Sequence, residues 1–216
     1  MRRILMGASG SGIILVNTAS GGVTGSGTST SLTVNKPTNT EQGDIMVAFL
    51  AADGSGAGTA WTQPSGWTEV LDDATIPHAG VSYKVAGASE GSSYTFDRSG
   101  KSSATASFSG IIVTYRYASY DTIGAIQNVS GASSVTAPSV TASTASSLLL
   151  AYYASNSSGG SWSTPTGMAS VSSVNTYNTI AVFSQEISSG ATGTKASTIS
   201  PLSGNISGVL LVLKPT

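Results

Sequence analysis

At 216 residues and 21.5 kDa, the chain is long enough for one large β domain or two small ones. Only 9% of its residues are charged and the net charge is −1, against about a quarter charged in a typical soluble domain, so no long-range field steers it to nucleic acid or to an anionic membrane. Cysteine is absent, which excludes a disulfide framework and any thiolate metal site.

Residues 1–30 read as an N-terminal arm. Arg2 and Arg3 imitate the start of a secretory signal, but Gly7 to Gly12 interrupts the apolar segment and no small-residue cleavage site follows. Ile13, Ile14, Leu15 and Val16 form a short β-prone run. It is either loosely attached or docks on a neighbouring subunit, where these four side chains would find burial. The Gly/Ser/Thr stretch from Ala19 to Ser31 is flexible by composition.

Ser31 to Val34 is a short strand stopped by Asn35-Lys36-Pro37, and Ile45 to Ala52 follows as a run that is apolar on both faces. Such a run suits an interior strand covered on each side. Val81 to Ala86 and Tyr94 to Phe96 alternate as half-exposed strands do, and Ile111 to Tyr117 is a second strongly apolar run. No apolar run approaches the roughly 20 residues of a membrane helix. No i, i+3, i+4, i+7 stripe persists, so no substantial helix is expected.

The chain then repeats itself. Leu148 to Ala154 echoes Ile45 to Ala52, and Trp162-Ser-Thr-Pro165-Thr-Gly167-Met168 echoes Trp61-Thr-Gln-Pro64-Ser-Gly66-Trp67. Ile180 to Phe183 echoes Gly80 to Tyr83, with Phe183 in the place of Tyr83, and Gly208 to Lys214 echoes Gly110 to Arg116. The separations fall slowly, from 103 (Ile45 to Leu148) through 101 (Trp61 to Trp162) and 100 (Tyr83 to Phe183) to 98 (Gly110 to Gly208). A duplication with small loop deletions produces that drift.

The expected fold is all-β: an antiparallel β-sandwich, jelly-roll or immunoglobulin-like, of about ten strands. It comprises two pseudo-repeats, 31–120 and 134–216, behind the 1–30 arm. Either each half closes its own sandwich or, as favoured here, the halves interleave into one. The link from Ala118 to Ser134 does not read plainly as a flexible spacer, since Ile123, Ile126 and Val129 sit in it.

Catalytic, cofactor and metal signals are weak. Gly87-Ala88-Ser89-Glu90-Gly91 has the letters of a nucleophile elbow, but a strand rather than a helix is expected after it. Gly100-Lys101-Ser102 lacks the earlier glycine of a phosphate loop, Thr95 standing there. His78 is the only histidine, so no histidine pair exists to hold a metal. Asp72 and Asp73, with Asp53 or Asp97 as helpers, lack calcium-loop spacing and read as solvated turn residues. Nine of the ten acids lie at or before residue 121, with Glu186 alone after it, which leaves a carboxylate-pair enzyme little support. No catalytic residue, cofactor or metal is therefore assigned. Trp61, Trp67 and Trp162 read first as packing plugs of the sandwich ends and second as sugar-stacking platforms.

Residues 31 to about 120 resemble a recurrent pattern of tailed-bacteriophage structural proteins. Its parts are Gly43-Asp44 before a strand, Pro64-Ser-Gly66-Trp67, Tyr83-Lys-Val-Ala86 followed by Ser89-Glu90 and Tyr94-Thr-Phe96, and a closing strand from Gly110. The second half matches more loosely. It has Ser146-Ser147 for Gly-Asp and Met168 for the second Trp, and it lacks the Lys-Val-Ala hairpin. The resemblance implies a non-enzymatic virion protein, assembled in the host cytoplasm and released by lysis. Proteins with this pattern occur as head decoration and as tail- or fibre-associated proteins, and the motif does not separate these roles. The favoured expectation is a head decoration or cement protein bound to the major capsid protein or other virion proteins, as a homo-oligomer with a trimer favoured. The alternative it leaves is a tail- or fibre-associated module binding a receptor or glycan.

Overall fold

A computed structural model describes residues 12–23, 31–53, 60–99 and 107–216. The N-terminal part of the expected arm (1–11), the stretch 24–30, the glycine-rich loop 54–59 and the Gly100-Lys101-Ser102 motif lie outside these. Among the described residues every element is a strand and no helix forms. The first half contains β1 (Ile14–Val23), β2 (Ser31–Asn35), β3 (Ile45–Ala52), β4 (Ala60–Thr62), β5 (Thr68–Asp72), β6 (Gly80–Val85), β7 (Ser93–Ser99) and β8 (Phe108–Arg116). The link forms β9 (Ala118–Ile123) and β10 (Gln127–Ala132). Beyond it come β11 (Ser134–Ala137), β12 (Thr141–Ala142), β13 (Ser147–Ser155), β14 (Ser161–Trp162) and β15 (Ala169–Val174). The chain ends with β16 (Thr179–Ile187), β17 (Gly190–Ala191), β18 (Lys195–Ser200) and β19 (Gly204–Pro215).

The sheets separate the halves. A large antiparallel sheet, β1-β8-β3-β6-β5, is covered by β2-β7-β4. Its counterpart is β10-β19-β13-β16-β15 with β9 also on β19, covered by β11-β18-β14. The apolar runs at 45–52, 111–117, 148–154 and 209–213 are central strands of two facing sheets, as the single-sandwich reading places them. Among the described residues, however, no sheet mixes strands from before and after Tyr117, so the halves do not interleave. Interleaving failed because each apolar run finds its hydrogen-bonding neighbours inside its own half. Ile45 pairs with Tyr115 and Val85, and Leu148 pairs with Leu213 and Glu186.

The repeats also begin earlier than 31 and 134. β1 lies on β8 along its whole length, and β9 with β10 lies on β19 in the same place. The described part of the expected arm is thus an integral edge strand, and the link between halves is its copy. The flexible composition of Ala19 to Val23 did not prevent this, because backbone pairing with β8 supplies the hydrogen bonds that small side chains leave undecided. One expected equivalence shifts by a residue. Tyr83 lies opposite Val47, and Ser184, not Phe183, lies opposite the matching Leu150. A one-residue slip turns a side chain to the other face, and Phe183 indeed belongs to the outer core while Tyr83 packs on the central one.

Alternation along β3 and β13 builds three cores. Ile45, Val47, Phe49 and Ala51 face Leu148, Leu150, Tyr152 and Ala154 across a central core between the two large sheets. Met46, Ala48, Leu50 and Ala52 pack under the first covering sheet, and Leu149, Ala151 and Tyr153 under the second. This explains why both runs are apolar at every position.

The facing sheets run in opposite order. β1 and β8 meet β15, β3 meets β13, Tyr83 of β6 stacks on Tyr120 of β9 at 4.7 Å, and Asp73 beside β5 accepts from Asn128 of β10. The halves are therefore related by an approximate twofold axis parallel to β3 and β13. The equivalent residues Phe49 and Tyr152 touch each other on it, ring centroids 5.1 Å apart. The Tyr152 hydroxyl also donates to the Leu50 carbonyl at 2.6 Å.

Phe49→Ala is expected to cost about 3–5 kcal/mol. Combined with Tyr152→Ala, the loss should fall well short of the sum, because both variants empty one contact. Urea denaturation of the four proteins measures this, and strict additivity would show that the halves do not share this packing.

Candidate interaction surface

The charged and aromatic residues singled out in the sequence are spent on local architecture. Trp61, Trp67 and Trp162 are 4%, 8% and 8% exposed, so none presents an open ring face to a sugar. The Trp61 indole N–H donates to the His78 carbonyl at 2.9 Å, and the Trp162 indole N–H donates to the Thr179 carbonyl, also seventeen residues on, at 3.0 Å. Trp67 lies edge-on to Tyr94 and Phe96. Both Pro-x-Gly motifs are type II turns, with Trp67 N–H to Pro64 O and Met168 N–H to Pro165 O. Gly66 and Gly167 supply the positive φ of 82° and 79° that such a turn requires.

Several acids have a similar task. Glu90 accepts from Gly87 N–H and from the Tyr94 hydroxyl, both at 2.7 Å, and pairs with Lys84 at 2.8 Å. Burial works against its charge, but Lys84 and these donors outweigh it and hold the carboxyl below its ordinary pKa. Gly87 to Gly91 is thus a braced hairpin loop leading to β7, without the helix of a nucleophile elbow. Asp72 accepts from Trp61 N–H, Asp73 from Thr75 N–H and Asn128, and Asp53 from Ser107 N–H. Burial raises the pKa of Asp72 and Asp53. His78 is buried at a positive φ of 47°. Burial, with Arg98 second, lowers its pKa. Among the described residues no three His, Asp or Glu side chains gather as metal ligands.

The exposed large hydrophobic side chains, among the described residues, lie at one end of the molecule: Ile14, Leu15, Val85 and Tyr117. Leu15, Tyr115, Ile45 and Val85 form one row across β1, β8, β3 and β6. Three strand spacings put Leu15 about 14 Å from Val85. Ile14 pairs with Arg116, and Tyr117 follows at a φ of 60° where the chain passes from the first half to the second. Of the four arm residues proposed as partner contacts, Ile14 and Leu15 are exposed, Val16 is half-buried at a bulge, and Ile13 packs on the central core. Val85 and Tyr117 were not singled out from the sequence. Val85 hid inside the alternating Val81 to Ala86, where nothing marks which end of a strand outruns its cover.

An ion cluster stiffens this end. Arg116 donates through Nε to Asp44 Oδ1 at 2.8 Å and through Nη2 to Asp44 Oδ2 at 3.0 Å, and it pairs with Glu41 at 2.9 Å. The Gly43-Asp44 pair has a physical reason here. Gly43 takes a φ of 89° and Asp44, 2% exposed, anchors the closing strand. Burial alone would raise the Asp44 pKa, but Arg116 and the Glu41 N–H overcome it and the net shift is downward.

No protein-family model, curated protein or solved structure matches this chain.

Two outcomes follow. The Asp44–Arg116 contribution should be whole above about pH 4, the ordinary aspartate pKa, and fade as pH falls through the lower folded value. The Tm gap between wild type and Asp44→Asn should therefore close in acid, and a gap constant to the acid limit would contradict the pairing. Acrylamide should quench the tryptophan fluorescence weakly until the protein unfolds; quenching as strong as in free tryptophan would contradict the plugged sandwich ends.

Proposed function

We propose that the protein is a non-enzymatic structural component of a tailed-bacteriophage particle, a head decoration or cement protein. It attaches to assembled major capsid protein through the end bearing Ile14, Leu15, Val85 and Tyr117, as a homo-oligomer and most simply a trimer. The observation that carries the reading is the confinement, among the described residues, of the exposed large hydrophobic side chains to this one end. The motifs behind the phage resemblance give it context: Gly43-Asp44, Pro64 to Trp67, and Lys84 with Glu90 and Tyr94 each brace this sandwich. A low-charge, cysteine-free fold needs no redox help to form and suits a particle surface.

The edges of the two large sheets fit attachment by side chains better than by strand addition. β1, β5, β15 and β10 each carry a bulge, which interrupts the regular ladder another strand would need.

Leu15→Ser combined with Val85→Ser should leave Tm nearly unchanged and reduce co-sedimentation with shells of the major capsid protein by more than tenfold. Sedimentation equilibrium of the wild type should give three copies. Attachment equal to wild type would sink this docking end.

A further inference from the structure

The twofold relation lets each side of the central interface serve as a control for the other. On one side the loop before β16 closes down on β1. Tyr177 packs so tightly over Gly22 that a Cβ there would lie 2.5 Å from its ring. Beside it the Ser109 hydroxyl donates to the Asn178 carbonyl and accepts from the Asn178 N–H, both at 3.0 Å. The register fixes the counterparts. His78 and Thr179 take the same tryptophan bond, so Ile76 stands for Tyr177, and the β10–β19 and β1–β8 pairings match Asn128 with Gly22 and Ser207 with Ser109.

With isoleucine in place of the ring, this second side opens into a cleft of about 360 Å³ lined by Thr75, Ile76, Asn128, Val129, Ser130 and Asn205. Its polar groups are only partly used. Asn128 Nδ2 donates to Asp73 at 2.8 Å, which orients the amide, yet the buried Asn128 Oδ1 has no partner. Ser207 does not line the cleft but pairs with Asn128 in register; it is 1% exposed and its hydroxyl has no partner, where its counterpart Ser109 makes two bonds. Ser130 donates to Asn205 Oδ1 at 2.8 Å. Native proteins rarely leave buried polar atoms unmatched, and clefts at the junction of two packed units are favoured binding places.

We propose that this cleft binds a neutral polyhydroxylated small molecule, a single sugar ring. Its lining offers amides and hydroxyls for hydroxyl groups and Ile76 with Val129 for the C–H face of a ring. No lining residue is charged, so an anion finds no counter-charge, and the volume is at the small end of ligand sites. The cleft lies at the Ala52 and Ser155 end of the sheets, opposite the exposed apolar end. It therefore stays open whether or not that end docks, and this inference does not depend on the docking one.

Saturation-transfer NMR on the full chain with glucose, galactose, mannose and N-acetylglucosamine, each alone, tests it. At least one sugar should show transfer, and Ile76→Tyr, which copies the closed side, should weaken binding at least tenfold at unchanged Tm. Should Ile76→Tyr not fold, Asn128→Ala is the replacement, with the same tenfold loss expected. Transfer from none of the four sugars, or equal transfer in wild type and a folded variant, overturns the proposal.

Discussion

The central core between the two large sheets is the constraint on which everything else depends. Each half already covers one face of its large sheet with three short strands, and the other face would be bare without its partner. Val47, Phe49, Ile111 and Val113 on one side and Leu150, Tyr152, Val209 and Leu211 on the other are buried only because the halves meet. Hydrophobic burial of this kind is roughly proportional to area. Phe49 and Tyr152 therefore act as the pin of the assembly, where a residue meets its own copy. The molecule resembles an isologous dimer joined into a single chain, with the Tyr117 junction as the join.

The two halves share backbone conformation more strictly than side-chain chemistry. The turn before the long apolar strand keeps a positive φ in both halves, through Gly43 in one and Ser146 in the other. The residue after it differs: Asp44 grips Arg116, while Ser147 bonds only within its own turn, to Thr144. Where Lys84 meets Glu90 and Tyr94, the second half has Gln185 accepting from Lys195 at 2.6 Å. Arg98, buried over the Trp61 ring at 5.1 Å, is replaced by Ile199 beside Trp162. The first half relies more on carboxylate bonds, in keeping with its larger share of the acids, while the second keeps Asp121, which accepts from Ser143 and pairs with Lys214. The twofold relation is broken most clearly at the interface rims, where Tyr177 fills one side and Ile76 leaves the other open.

Much of the fold was legible because its signals are local. Apolar runs without alternation announced strands covered on both faces, and Trp61, Trp162 and the two Pro-x-Gly turns announced the copy. Less was legible of the candidate surface. Ile14 and Leu15 stood out as unplaced apolar residues, but Val85 and Tyr117 read as ordinary members of strands. Exposure at a strand end depends on how far the facing sheet reaches, which no local pattern records. The small residues Ala19 to Val23 concealed an edge strand for a related reason, since their pairing energy comes from β8, some ninety residues away.

The amino-acid sequence by itself determined the all-β class, the two copies, the turn at each Pro-x-Gly and the burial of the long apolar runs, because periodicity and backbone preference act over a few residues. Only the tertiary structure decided that the halves close separately, that they meet about a twofold axis, and which side chains are left over at the rims. Those outcomes rest on contacts between residues about a hundred positions apart, where a single residue of register changes which core a side chain enters.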